Sequence, residues 1–296
     1  MEERIMTGDF RITLAYLKEL GACRDGQREF RKAFPDGAGY QETLDKCADA
    51  GRVDFGKWLL DKLGPTDDVR IYQEPIEDRN KVIIFAGRIE FEADINVKHI
   101  FAGCGIEAGW GIKAGCGIKA GCGIEAGLGI EAGCGIEAGL GIKAGCGIKA
   151  GCDIEAGRGI EAGWGIEAGW GIEAGYDIEA GLGIKAGLGI KAGCGIEAGR
   201  GIKAGCGIEA GRGIKAGWGI EAGWGIEAGY DIEAGWGYGI FAGIRVKIEL
   251  WSSLAIVEAN TKPTNLISGH WVEPNAQKNG GSYVETNYTT NPKRRV

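Results

Sequence analysis

From Ile100 to Gly237 apolar and polar positions follow one six-residue phrase, Ile-(Glu/Lys)-Ala-Gly-X-Gly, written twenty-three times without an insertion, with Phe101 in the Glu/Lys place of the first. Ile recurs at every sixth position to Ile232, with Ala two residues later and Gly three later. The last place is Gly except at Asp153, Asp177 and Asp231, and X is Cys, Trp, Leu, Arg or Tyr. Ile, Glu/Lys and Ala read in, out, in, as a short half-buried strand. The glycines are expected to supply corners of positive φ. A helix is excluded, because two Gly per six residues would cost about 1 kcal/mol each relative to Ala. Collagen is excluded too, since Gly does not fall at every third place and the repeat has no Pro. Coiling the chain stacks Ile on Ile and Ala on Ala, so that each unit packs only on its neighbours. The fold class expected is mainly β, a single-chain β-solenoid with a small N-terminal α-helical domain and a C-terminal β cap.

The flanks follow other periods. Residues 1–64 read as four helices. Asp9 would cap the first, with Phe10, Leu14 and Leu17 on one face and Gly21 closing it. The second runs from about Arg24 to Phe34 and stops at Pro35-Asp-Gly. The third covers Tyr40 to Ala50 with Leu44, Cys47 and Ala48 inward, and Asp54 would cap a fourth that Gly64-Pro65 ends. So small a core is marginal alone and is expected to lean on the rod or on a partner. Residues 65–80 read as a charged connector and 81–99 as an N-terminal solenoid cap. Ile-Phe-Ala-Gly at 84–87, 100–103 and 240–243 puts Phe in the Glu/Lys place, as atypical end coils would. Residues 238–273 read as the C-terminal cap. Its strands would be Ile244–Leu250, alternating with Arg245, Lys247 and Glu249, then 254–258 and 266–272 around Lys262-Pro263. Residues 274–296 read as a flexible tail.

The phrase resembles the hexapeptide-repeat β-helix family over roughly residues 100–237, and the resemblance implies three hexads per coil. Residues 158–181 recur almost unchanged fifty-four residues later, at 212–235, which equals three such coils. Two hexads per coil, which would stack Cys122, Cys134 and Cys146, is the alternative. In the family the place two before the aliphatic residue is small and inward. Here that place is X, and Arg158 or Trp164 cannot sit inside a narrow prism, so X is expected outside or at a corner. Within the helical domain, Leu20-Gly-Ala-Cys, Phe30 and Asp54 through Trp58-Leu-Leu resemble a small module of phage and mobile-element proteins.

Composition narrows the function. A net charge of −7 and a pI near 5.2 disfavour direct nucleic-acid binding, which needs a basic face. No run of eighteen apolar residues offers a membrane span. Residues 1–20 lack the apolar core of an export signal, since Arg4, Asp9, Arg11, Lys18 and Glu19 interrupt it. A cytoplasmic location with free thiols for the ten Cys is therefore expected. No Cys-x-x-Cys is present, so no metal site is expected, and no cofactor. The Gly-x-Gly fragments are corners of the repeat rather than phosphate loops. His99, at the rod entrance, is the one candidate for the His base that the hexapeptide resemblance implies for an acyltransferase. No catalytic set accompanies it, and the expectation is a protein that is not an enzyme.

The X row is the expected recognition surface, because Trp, Tyr and Arg dominate binding hot spots. The candidates are Arg158, Trp164, Trp170, Tyr176, Arg212, Trp218, Trp224, Tyr230 and Trp236. The function expected is a protein-binding rod. The resemblance of the N-terminal module extends this to a phage or mobile-element inhibitor of a host defence protein. A structural, self-assembling solenoid and homo-oligomer is the main alternative. An acyltransferase or an acidic DNA mimic are lesser ones, mimicry requiring the Glu to be gathered on one side.

Overall fold

The computed structural model describes residues 11–235, 238–244 and 251–274. Three-residue strands eighteen residues apart pair in parallel and in register. Ile124 pairs with Ile142, Ile130 with Ile148 and Ile136 with Ile154. A coil is therefore three hexads, and the two-hexad alternative is wrong. The chain winds about 11 turns into a three-sided parallel solenoid. With coils about 4.8 Å apart, the rod is roughly 50 Å long.

Face 1 starts at Val69–Tyr72 and Arg88–Phe91 and runs from Ile106–Ala108 to Ile232–Ala234. Face 2 takes the first parts of Ile76–Phe85 and Ile95–Ala102, then Ile112–Ala114 to Ile220–Ala222, Ile240–Phe241 and Leu266–Ser268. Face 3 takes the second parts of those two long strands, then Ile118–Ala120 to Ile226–Ala228, Ile256–Glu258 and His270–Val272. Every repeat Ile is buried, as is each repeat Ala up to Ala228, in one continuous core. Each Ile contributes about 1.5–3 kcal/mol by burial.

The corners are not built as the sequence suggests. Among the described residues, positive φ occurs at Gly21, Gly37, Gly51, Gly64, Gly243 and Gly269, none of them in the regular repeat. From Gly121 on, the Gly after an Ala is crowded instead, whereas Gly109 and Gly115 in the earlier coils have room for a Cβ. A Cβ on Gly139 would overlap the carbonyl oxygen of Gly121 one coil earlier, and Gly133, Gly151 and Gly163 stand in the same relation to Gly115, Gly133 and Gly145. The Gly in the last place is freer, a Cβ on Gly141 lying 3.4 Å from the carbonyl oxygen of Gly159. That room explains the three Asp. Asp153 accepts the Gly171 N–H at 2.8 Å and Asp177 that of Gly195 at 2.7 Å, while Thr261 donates its hydroxyl to Asp231 at 2.7 Å.

The helical domain closes the N-terminal end. Its helices are α1 (Leu14–Glu19), α2 (Arg24–Ala33), α3 (Tyr40–Asp49) and α4 (Val53–Leu63). Thr13, not Asp9, caps α1, its hydroxyl accepting the Tyr16 N–H, and Asp9 and Phe10 lie outside the described residues. Arg52 holds the N-cap position of α4, with Asp54 in the first turn and bonded to its guanidinium. Gly64, at φ 78°, ends α4 as expected. Gln41 on α3 donates to Ile84 O and accepts from Ala86 N–H, each at 2.9 Å. One side-chain amide thus occupies the backbone edge that an open end coil would expose.

The connector reading of residues 65–80 is corrected, because the first coil begins there. Arg70 and Tyr72 replace Ile and Ala as half-buried lids. Arg70 pairs with Asp45 and covers the Phe85 ring, and Tyr72 stacks on Phe91. The charges that suggest a connector belong to an end coil facing helices and water. At the C-terminal end the described strands among those expected continue faces 2 and 3, preceded by a helical turn, α5 (Trp251–Leu254), that the pattern does not announce. Residues 245–250 of the expected alternating strand and residues 275–296 lie outside the described residues.

Candidate functional site

A period of eighteen sorts the X residues onto three edges. The nine candidates look like one row in the sequence, but the coil divides them. Arg158, Tyr176, Arg212 and Tyr230 share the edge between faces 3 and 1, where backbone bonds join Tyr176 to Arg158 and Tyr230 to Arg212. Trp164 and Trp218 share the edge between faces 1 and 2, and Trp170 and Trp224 the edge between faces 2 and 3. Trp236 lies outside the described residues. Trp164, Trp170, Tyr176 and Tyr230 are each more than half exposed. X therefore lies outside, as a side chain too large for the prism requires.

Sequence reading misses two members of these edges. Trp110, 54% exposed, precedes Trp164 and Trp218 on the same edge at intervals of three coils. Arg200 lies over the Trp218 ring at 5.0 Å, and Trp218 stacks on Tyr238 at 5.6 Å. Counting X residues in eighteens rather than sixes would have found both.

The outward Glu/Lys places are sorted as well. Between residues 107 and 233, face 1 carries six Glu and two Lys, and face 3 carries five Glu and two Lys. Face 2 carries three Glu and four Lys, and Lys113–Glu131, Glu167–Lys185 and Lys203–Glu221 form ion pairs along it. The rod thus has two acidic faces meeting at the Arg/Tyr edge, and one balanced face bordered by both Trp edges.

Crowding on face 3 has a measurable consequence. Burial, then the neighbouring Asp153, Glu137 and Glu173, raises the Glu155 carboxyl above the ordinary range. Burial, then Glu258 and Glu209, does the same to Glu227. A carboxyl raised by folding adds stability that is fully present below its unfolded pKa and is lost as pH rises through the folded one. Glu227→Gln should therefore melt slightly higher than the parent at pH 7. The gain is small because the side chain still meets solvent, and it should vanish below about pH 4. An unchanged melting temperature at pH 7 would show that the ladder carries no strain.

His99 works as a corner residue. Its Nδ1 accepts the Gly117 N–H at 3.3 Å, as Asp153 does for Gly171, and its ring stacks on Phe101. Burial, followed by Lys98 and Lys57, lowers its pKa, and no carboxylate is bonded to it among the described residues. All ten cysteines are free thiols. Cys104 and Cys122 touch at 3.1 Å on adjacent coils, and their hydrogen bond raises Cys122 to about 11. Among the described residues no cluster suits a metal ion, and no helix is long and apolar enough to cross a membrane.

No curated protein and no solved structure matches this chain. A family model described as the YdhT N-terminal domain matches residues 1–63, so the helical domain is similar to that family while the solenoid stands outside the match.

Proposed function

We propose that the rod is a non-enzymatic protein-binding element whose acidic side engages a basic surface of a partner protein. The observation that carries this is the sorting of charge. Eleven of the fourteen repeat Glu lie on the two faces flanking Arg158, Tyr176, Arg212 and Tyr230. Such an arrangement supplies steering by charge together with aromatic and Arg anchors. Mimicry of duplex DNA is a poorer account. Faces 1 and 3 carry a net −7 over seven coil steps, roughly 34 Å at 4.8 Å each, where duplex DNA carries one charge per about 1.7 Å. A narrower reading, an inhibitor carried by a phage or mobile element and aimed at a host defence protein, rests on the resemblance of the helical module alone. Action in the cytoplasm accords with the free thiols.

The test is a pull-down from nuclease-treated bacterial lysate with the full chain. It compares the parent with Tyr176→Ser/Tyr230→Ser and with Glu161→Lys/Glu179→Lys/Glu197→Lys. One protein retained by the parent and lost, about 10-fold or more, with both variants is expected. Equal retention by all three, or recovery of no protein, would sink the reading.

A further inference from the structure

Face 2 differs from the other two in charge and in its borders. A groove of about 980 Å³ runs along it from Glu77 to Phe241. Both edges beside it carry Trp, Leu and Cys, and the helical domain leaves it open. That domain docks on face 3, through Phe101 and the Lys119–Asp61 pair.

The outward residues of face 2, one per coil, read Glu77, Asn96, Lys113, Glu131, Lys149, Glu167, Lys185, Lys203, Glu221 and Phe241. Turning a second copy end for end, with the two-fold axis between Glu131 and Lys149, matches this ladder to its own reverse. Lys113 then faces Glu167, Glu131 faces Lys149, Glu77 faces Lys203 and Asn96 faces Lys185. Each contact occurs twice, as a two-fold interface requires. Among antiparallel registers overlapping five or more coils, this is the only one in which no like charges face each other. A parallel pair fails outright, because every charge would face itself.

The borders agree with the same register. The axis maps each edge onto its own reverse, so Trp110 meets Trp164 and Leu128 meets Cys146 on the edge between faces 1 and 2. On the other edge Cys116 meets Trp170 and Cys134 meets Cys152. Over the four central coils apolar residues therefore flank the charge ladder on both sides and shield it from water, and away from water opposite charges attract more strongly. Eight coils at about 4.8 Å and six residues at about 3.3 Å bound the contact at roughly 38 by 20 Å. That is close to the ~800 Å² per partner of a standard interface.

We infer that face 2 is a self-association surface on which two copies of this chain pair antiparallel about the Glu131–Lys149 step, leaving the acidic sides of both rods outward. The inference does not depend on the acidic-side reading above, since neither face 1 nor face 3 takes part.

The experiment is sedimentation equilibrium of the full-length chain, 31.2 kDa, from low micromolar concentration upward. The parent should reach twice the monomer mass. Lys113→Glu places like charges opposite each other at both copies of its contact and should weaken the dimer about 10-fold or more, and Glu167→Lys should do the same. The double variant Lys113→Glu/Glu167→Lys exchanges the signs and should return to within about threefold of the parent. Circular dichroism of each variant checks that the coil is intact. A parent that stays monomeric overturns the proposal. So does a double variant as weak as the singles, or an equal loss with Lys143→Glu on face 1. Since the acidic faces are unaltered, capture of a partner through them succeeds or fails separately from this result.

Discussion

Gly139→Ala should destabilise the rod by about 3 kcal/mol or more, whereas Gly141→Asp, two residues away, should change stability by less than about 0.5 kcal/mol. Both glycines lie at one corner, and neither has positive φ. Where the native backbone suits Ala without strain, Gly→Ala gains about 0.4–1 kcal/mol by stiffening the unfolded chain. At Gly139 that gain meets a Cβ driven into the Gly121 carbonyl, a backbone atom held by the coil below. The Gly139 N–H also donates to Ala120 O at 3.0 Å, so lifting the corner away breaks the ladder of hydrogen bonds that joins the coils. At Gly141 a Cβ meets the next coil at ordinary contact distance, and an Asp there can accept the N–H of the last-place Gly one coil on, as Asp153 and Asp177 do. Urea melts of the two variants decide the matter. If Gly139→Ala keeps the parent's midpoint, crowding is not what keeps Gly in that place.

The second large effect is expected at Phe101→Lys, which restores the ordinary phrase. Phe101 points outward from face 3, yet it is only 5% exposed, because the helical domain covers it. It packs there with Ile84 and Ala86, and the Lys57 ammonium lies 5.4 Å from its ring. Removing a buried Phe costs about 3–5 kcal/mol. A Lys in its place adds the desolvation of a charge beside Lys57. The solenoid core, on the other side of the strand, is unchanged. The expected result is a domain released from an intact rod. Protease should cleave between residues 64 and 69 at least 10 times faster, and a separate low-temperature transition should precede melting of the solenoid. Parent-like proteolysis and a single transition would show that Gln41, Arg70 and their partners hold the domain without Phe101.

These two sites show which features the sequence makes legible. The solenoid is readable because the Ile and Ala periods coincide with burial, and any folded form must hide both. The helices are readable because α2, α3 and α4 carry ordinary stop signals, Gly64 above all. The glycine corners mislead, because composition says that Gly is needed without saying whether φ or crowding needs it. The role of Phe101 is legible in part: its break from the Glu/Lys place marks an atypical coil, but the surface that covers it is not written there. The first coil is missed where Arg70 and Tyr72 stand in for Ile and Ala. The candidate surface is legible residue by residue but not as an arrangement. The six-residue period names every X, while only the eighteen-residue coil says which of them are neighbours.

The hexads on all three sides share one core, and this separates two dimensions of the molecule that most folds tie together. Gaining or losing eighteen residues changes the distance between the helical domain and the C-terminal strands without changing their bearing. Gaining or losing six turns one end against the other by a third of a revolution, with the Ile and Ala stacks undisturbed. Such a slip would be silent in the core and loud on the surface, where every edge beyond it would be reassigned and Arg/Tyr would follow on from Trp. Reach and aim are thus set by independent counts of the same short word, and recombination between near-identical units could retune either one at little cost to folding.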